Sequence, residues 1–334
     1  MDCLCCADGG AGPNSDTEFL GSVCNLMGPD GVPARFPPEP DRYILYVVAG
    51  CPFASRPWAL QAIYGLPIRV VKLYPASYED GWFFEPRSEG ERELVYNFPS
   101  AKFDKDPLGH HHLKELYVEA NPHFEGAVSV PLLWDTKTGT AVSNSSLGLA
   151  KMIEDQIKPV LATRNQDLEL FPTDENEKEE HIEFCKWIHK NITAAVYNMN
   201  ATKDGFKHDE MVEEYYDALK QLEDRLKARD ADHPNSFLFG PKLRFCDVML
   251  WISLLRLDLA YQFRFGLGKY NIREDYPRLQ KYICYITSNV EGLKEIVLPR
   301  DIMALYFMTL KWTKDGNGRS LPMVPNSWEA KLEI

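Results

Sequence analysis

The sequence predicts an α/β domain followed by an all-helical one, on three observations: the chain's length, one early apolar run, and a later change of hydrophobic period. At 334 residues the chain exceeds one ordinary core, so two domains are expected. Tyr43-Ile-Leu-Tyr-Val-Val-Ala49 is apolar without alternation and reads as a strand buried on both faces, the habit of parallel sheets. From about residue 174 the period becomes helical. Met211, Tyr215, Leu219, Leu222 and Leu226 recur at steps of four and three, which sets one apolar stripe along a helix.

The elements follow in order. Residues 1–40, rich in Gly, Pro and Asp, read as an extended arm. Gly50-Cys51-Pro52 breaks the first strand, a helix over 58–64 ends at Gly65, and Ile68 to Tyr74 forms a second apolar strand. After a polar insertion over about 80–115, the segments 128–134 and 140–143 flank Asp135-Thr-Lys-Thr-Gly139 and predict a β-hairpin. A helix from about Ser145 to Ile153 follows. Strand, helix, strand, hairpin, helix is the order of a thioredoxin-like domain, placed at 41–158. The helical domain spans 170–300, with a C-terminal extension over 301–334. Its acidic run Asp174 to Glu180 suits a helix's first turn, and Val248 to Leu259, apolar on several sides, predicts a central helix.

A net charge of -12 repels phosphate backbones and argues against nucleic-acid binding. No apolar stretch is long enough to span a bilayer, and Met1 to Gly10 lacks the pattern of a secretory signal, so a cytoplasmic protein is expected. The eight cysteines are not spaced as a disulfide framework and should be free thiols. Cys185, Cys246 and Cys284 lie in helical, apolar contexts and read as small buried hydrophobes. Cys3, Cys5 and Cys6 sit in a tail whose acylation would add a membrane contact. His110, His111 and His112 cannot all face one ion and have no suitably spaced partners. They read as a solvated loop, and no metal is expected.

Cys51 is the candidate nucleophile. Glycine permits a sharp exit from the strand, and proline suits the first helical position. The thiol then lies where helix N–H groups favour an anion, a setting that promotes the thiolate, with Arg56 close in sequence. Position 54 is alanine, so no Cys-x-x-Cys partner exists and an external thiol must resolve a mixed disulfide. Val130-Pro131 is the second marker: within this fold, a cis peptide there would turn the Val130 backbone toward a peptide-like ligand.

With these residues in place, the chain resembles the glutathionyl-hydroquinone reductases, the xi class of the glutathione transferase superfamily, over about residues 40–310. The matching segments include Arg42-Tyr-Ile-Leu-Tyr46, Cys51-Pro52, Gly81-Trp-Phe-Phe84, Leu116-Tyr117, Asn121-Pro122, Val128 to Asp135, Asn144-Ser-Ser146, Asn191-Ile192, Val196-Tyr197 and Asp247 with Leu250-Trp251. The run Cys-Pro-Phe-Ala-x-Arg is closer to the omega class. The resemblance implies a thioredoxin-like domain followed by a helical glutathione-transferase domain, with glutathione as co-substrate and a homodimeric assembly.

It also implies roles. Cys51 would be the nucleophile, with Phe53 and Trp82 beside glutathione. Val130, before Pro131, would pair with its cysteinyl backbone. Ser146 would hold its γ-glutamyl carboxylate, with Ser145 beside it in the glutathione site where the family's acid would grip the amine. Tyr197 and Tyr306 would contact the quinol. The sequence departs from the family at Phe53 (a family tryptophan), Ser55 (histidine), Pro57 (no proline), Ser145 (glutamate) and Tyr306-Phe307 (Tyr-Tyr). The implied reaction removes glutathione from a glutathionyl-hydroquinone through a Cys51 mixed disulfide. Two alternatives are an omega-like thioltransferase or dehydroascorbate reductase, and a non-catalytic ligand- or partner-binding protein on the same fold.

Overall fold

A computed structural model describes residues 35–78, 81–86, 104–230 and 237–308. The N-terminal cysteine cluster, much of the polar insertion and most of the C-terminal extension lie outside them. The described chain divides into two compact units: residues 35–166 with 295–308, and residues 167–294.

The first unit is built on a four-stranded sheet. β1 (Tyr43–Val47) runs parallel to β2 (Arg69–Lys72) and antiparallel to β5 (Leu132–Asp135), which pairs with β6 (Thr140–Ser143), giving the order β2-β1-β5-β6. All five β1 residues are buried, as an unalternating apolar strand requires. Arg42 clasps Asp135 with two bonds of 2.7 Å where β1 meets β5. Burial would raise the Asp135 pKa, but Arg42, the Thr138 hydroxyl and the Lys137 N–H hold it below the usual carboxylate range.

α1 (Pro52–Tyr64) connects β1 to β2. It begins six residues earlier than the apolar pattern indicates, because Pro52 takes the first helical position without losing a needed N–H. It ends at Gly65 in the left-handed conformation, φ +55°, which glycine adopts freely. Pro57 lies inside α1 without ending it.

β3 (Tyr74–Tyr78) and β4 (Gly81–Phe83) form a separate antiparallel pair that the sequence pattern does not announce, since Pro75 and the polar neighbours mask it. α2 (Leu113–Ala120) and α3 (Ser146–Met152) complete this part of the unit.

The second unit is helical: α4 (Glu175–Ile188), α5 (Ala195–Ala201), α6 (Gly205–Asp230), α7 (Phe245–Arg256) and α8 (Pro277–Asn289), joined by shorter helical turns. Asp174 caps α4, accepting from the N–H groups of Asn176 and Glu177 at 3.1 Å. Every residue of α7 is buried, so it is the expected central helix. Its first-turn Asp247 accepts from Leu238 N–H, Arg244 N–H and the Tyr282 hydroxyl at 2.7–2.8 Å. Burial is the larger influence and pushes its pKa up to about 6. α9 (Pro299–Met308) belongs with the first unit.

The histidine run is not a solvated loop. His110 is clamped between Asp106 (Nδ1 to Oδ2, 2.6 Å) and Glu119 (Nε2 to Oε2, 2.9 Å), and His111 is buried. Asp106 also accepts from the Tyr46 hydroxyl of β1 at 2.7 Å. The histidines sit among acids at short spacing on either side, and these convert a polar string into a packed junction. Cys284 differs from expectation in degree, being half-buried and facing the Gln280 amide at 3.3 Å.

Candidate active site

Cys51 is the N-cap residue of α1 and is half-buried. Its N–H donates to the Val48 carbonyl at 2.9 Å, which closes the turn out of β1. The thiol makes no side-chain capping bond; its sulfur lies 3.9 Å from the Val130 carbonyl oxygen. The Val130-Pro131 peptide is cis, as expected. The strand expected from Val128 starts only at Leu132, leaving 128–131 as a loop beside the cysteine.

Two side chains hold that loop. The Trp82 indole N–H donates to the Val128 carbonyl at 3.2 Å, and the Tyr117 hydroxyl donates to the Ser129 carbonyl at 2.7 Å. Asn144 donates to the same Tyr117 oxygen at 3.3 Å. Tyr117 and Asn144 belong to matched segments, but neither carries an expected role. Their work depends on a partner loop that local pattern does not reveal.

Ser145 caps α3, accepting from Gly148 N–H at 3.2 Å. Ser146 has a different task. Pro57 has no N–H to give to the carbonyl four residues back, which is Phe53. The Ser146 hydroxyl donates to that Phe53 carbonyl at 2.7 Å, so α3 supplies the bond that α1 lacks. Arg56, 1% exposed, reaches the Ser146 oxygen at 3.4 Å and lies 5.1 Å above the Phe53 ring. The departure at Pro57 and the serine at 146 are thus physically linked.

The structure gathers Cys51, Phe53, Trp82, Val130, Pro131, Ser145 and Ser146 in one unit. Tyr306 is there too, but its ring is fully buried and its hydroxyl donates to the Gly50 carbonyl at 3.0 Å. Tyr197 belongs to the helical unit, half-buried, with its ring centroid 5.6 Å from that of Phe265 and 6.5 Å from that of Tyr261. A cleft of about 770 Å³ between α4 and α6, lined in part by Phe184, Trp187 and Arg225, shares no residue with the Cys51 site. Among the described residues, no group of three His, Cys, Asp or Glu is placed to hold a metal ion, and no helix is long and apolar enough to cross a membrane.

A small mixed sheet with a cysteine at the head of its first helix, followed by a helical unit, defines a protein of the glutathione transferase fold. Comparison agrees and narrows the class. Residues 206–283 match the family model for the glutathione S-transferase C-terminal domain. The chain is 30% identical to glutathionyl-hydroquinone reductase YqjG of Escherichia coli, over 86% of this chain and 82% of that protein.

Among solved structures, the xi glutathione S-transferase of Phanerochaete chrysosporium is similar with a TM-score of 0.77 and 26% identity, covering 92% of this chain and 95% of the other. Glutathione-bound YqjG has a TM-score of 0.74 and 28% identity, covering 88% and 89%. The chain belongs to the glutathionyl-hydroquinone reductases, the xi class of the glutathione transferase superfamily, and is an enzyme of that superfamily.

Proposed function

We propose that this enzyme removes glutathione from glutathionyl-hydroquinone-type adducts through a mixed disulfide on Cys51. The observation that carries this reading is the placing of the thiol: half-exposed, at the head of α1, 3.9 Å from the Val130 carbonyl. Among the described residues it is also the only cysteine in its unit, since Cys185, Cys246 and Cys284 lie in the helical one.

The reaction has two steps. The Cys51 thiolate attacks the glutathionyl sulfur and forms an S–S bond as the sulfur–carbon bond breaks. The electron pair of that bond goes to the quinol carbon, which takes a proton, and free hydroquinone leaves. Glutathione thiolate then attacks the Cys51 disulfide, giving glutathione disulfide and restoring the Cys51 thiolate. The scheme is covalent catalysis with ping-pong kinetics.

In this reading the Val130 backbone pairs with the glutathione cysteinyl, Trp82 and Phe53 flank it, and Tyr197 serves the quinol or its proton. The γ-glutamyl carboxylate goes to the start of α3. There the N–H groups favour an anion, while the Ser146 hydroxyl already gives its proton to Phe53. Free thiols suit a reducing, cytoplasmic setting. The family resemblance supports a homodimer, which light scattering over a concentration series would test.

The Cys-Pro-Phe-Ala run favours a second reading, an omega-like thioltransferase or dehydroascorbate reductase. Both share the Cys51 disulfide, so substrate profiling separates them. Intact mass after incubation with a glutathionyl hydroquinone tests the first: an adduct on wild type, none on Cys51→Ala, and quinol release is the expected result. Quinol release by the alanine variant would overturn it.

A further inference from the structure

We infer that α9 is a strut that fixes the position of Cys51, with Tyr306 as a positioning residue rather than a contact for the quinol. The inference rests on the Cys51 reading and adds to it a residue that acts through the backbone.

The peptide joining Gly50 to Cys51 has two polar ends, and each is tied. Its N–H, on Cys51, donates to the Val48 carbonyl at 2.9 Å. Its carbonyl, on Gly50, accepts from the Tyr306 hydroxyl at 3.0 Å across 256 residues of sequence. A peptide held at both ends resists rotation and fixes the N–Cα bond of the next residue. With that residue at φ -77° as the helix N-cap, the direction of its Cα–Cβ bond follows. That residue carries the thiol.

Packing reinforces the bond. A Cβ added at Gly50 would fall 2.3 Å from Leu305 Cβ, 2.8 Å from Leu305 Cδ2 and 3.0 Å from the Ile302 carbonyl oxygen. Gly50 is therefore glycine because α9 occupies that space, and Leu305 and Tyr306 press on one peptide from adjacent positions. Tyr306 is 0% exposed and Leu305 5%, so neither presents a face to a substrate in this arrangement. A near-attack geometry tolerates little misplacement, and a turn left to rotate would cost rate rather than affinity.

The experiment compares full-length wild type with Tyr306→Phe, which keeps the ring and removes the hydroxyl that donates to Gly50. Two readouts are taken: the rate of Cys51 glutathionylation by glutathione disulfide, followed by intact mass across pH, and amide exchange of the 48–53 peptide. We expect Tyr306→Phe to fold, to exchange faster in that peptide, and to form the adduct about 5- to 10-fold more slowly, as for one lost hydrogen bond. The turnover defect should fall on kcat, with KM nearly unchanged. Gly50→Ala, which pushes α9 away sterically, should shift both readouts the same way.

Unchanged adduct rate and unchanged exchange in Tyr306→Phe would overturn the strut. So would a raised KM with kcat and exchange intact, since that is the mark of a substrate contact. A wild type that forms no adduct on Cys51 would instead sink the nucleophile reading. The exchange of the 48–53 peptide would then still decide whether α9 holds the turn.

Discussion

Cys51 and Cys246 both sit at the start of a helix, yet their surroundings point them to opposite fates. Cys51 occupies the N-cap position of α1, whose first turn holds no acidic residue, and it is half-exposed. Cys246 is the second residue of α7 and is 0% exposed. Its N–H donates to His181 Nε2 at 3.2 Å, and Asp247 sets a carboxylate in the first turn, where it accepts from the Arg244 N–H at 2.8 Å. Burial pushes the Cys246 thiol well up, and Cys185 and Asp247 push it further. The macrodipole favours a thiolate only where the charge can be solvated and no carboxylate has claimed the terminus. A helix start is one half of a reactive thiol; access is the other.

The sharpest way to break this contrast is to exchange the cysteines for inert residues and measure turnover. Cys51→Ala should lower activity by about 1,000-fold or more, as for loss of a covalent nucleophile, while Cys246→Ala in folded protein should leave kcat within a few-fold. Alkylation of native protein should mark Cys51 well before Cys185 or Cys246. Labelling of Cys246 at the Cys51 rate would show that burial does not silence it.

The next largest effect concerns the carboxylate that separates the two helix starts. Asp247→Ala leaves Leu238 N–H, Arg244 N–H and the Tyr282 hydroxyl without their buried acceptor. A loss of about 3–5 kcal/mol in urea denaturation is expected, since each orphaned buried group costs about 1–3 kcal/mol. The pH dependence has a definite sign. With its folded pKa raised to about 6, the folded protein binds the proton more tightly than the unfolded chain does. The Asp247 contribution to stability therefore falls as pH rises from about 4 to 6 and is level above that. Asp247→Ala should remove this slope. Because burial leads the influences on Cys246, the variant should still leave that thiol unlabelled.

The contrast also marks how far the sequence reaches. Gly50-Cys51-Pro52 gives the strand exit and the helix start because both depend on adjacent residues, and the helix start near Ser145 is equally local. The 128–131 loop is not, since its apolar residues read as strand and its cis peptide follows from the fold. The β3–β4 pair escapes notice because Pro75 breaks its pattern. The Tyr306 bond to Gly50 escapes it because nothing near either residue names the other.

Ser146 lies between these cases. The resemblance gives it a ligand, whereas its hydroxyl repairs the gap left by Pro57, a pairing visible only once α1 and α3 are side by side. Ser146→Ala should cost about 1–3 kcal/mol by removing the hydroxyl bond to the Phe53 carbonyl. The double variant Pro57→Ala, Ser146→Ala should recover much of it by restoring the helical N–H. A raised KM for glutathione with no loss of stability would instead return the hydroxyl to the ligand.

The smallest effect tests the histidine junction against the helical unit's acid. Burial opposes a charged His110, but its bonds to Asp106 and Glu119 prevail and raise its pKa. The Tyr46 hydroxyl faces Asp106 from β1, so the clamp ties the strand that leads into Cys51 to α2. A histidine with a raised folded pKa stabilises fully below its unfolded value of about 6.5 and loses that contribution as pH climbs through the folded one. Asp247 thus acts below about pH 6 and His110 above about 6.5, each weakening the fold as pH rises. His110→Gln should lower stability at pH 6 by about 1 kcal/mol, the scale of a partly exposed charged pair, and by less at pH 9. Urea midpoints for wild type and variant at both pH values decide it: a difference that does not shrink at pH 9 would mean that the clamp works as neutral hydrogen bonds and carries no charge.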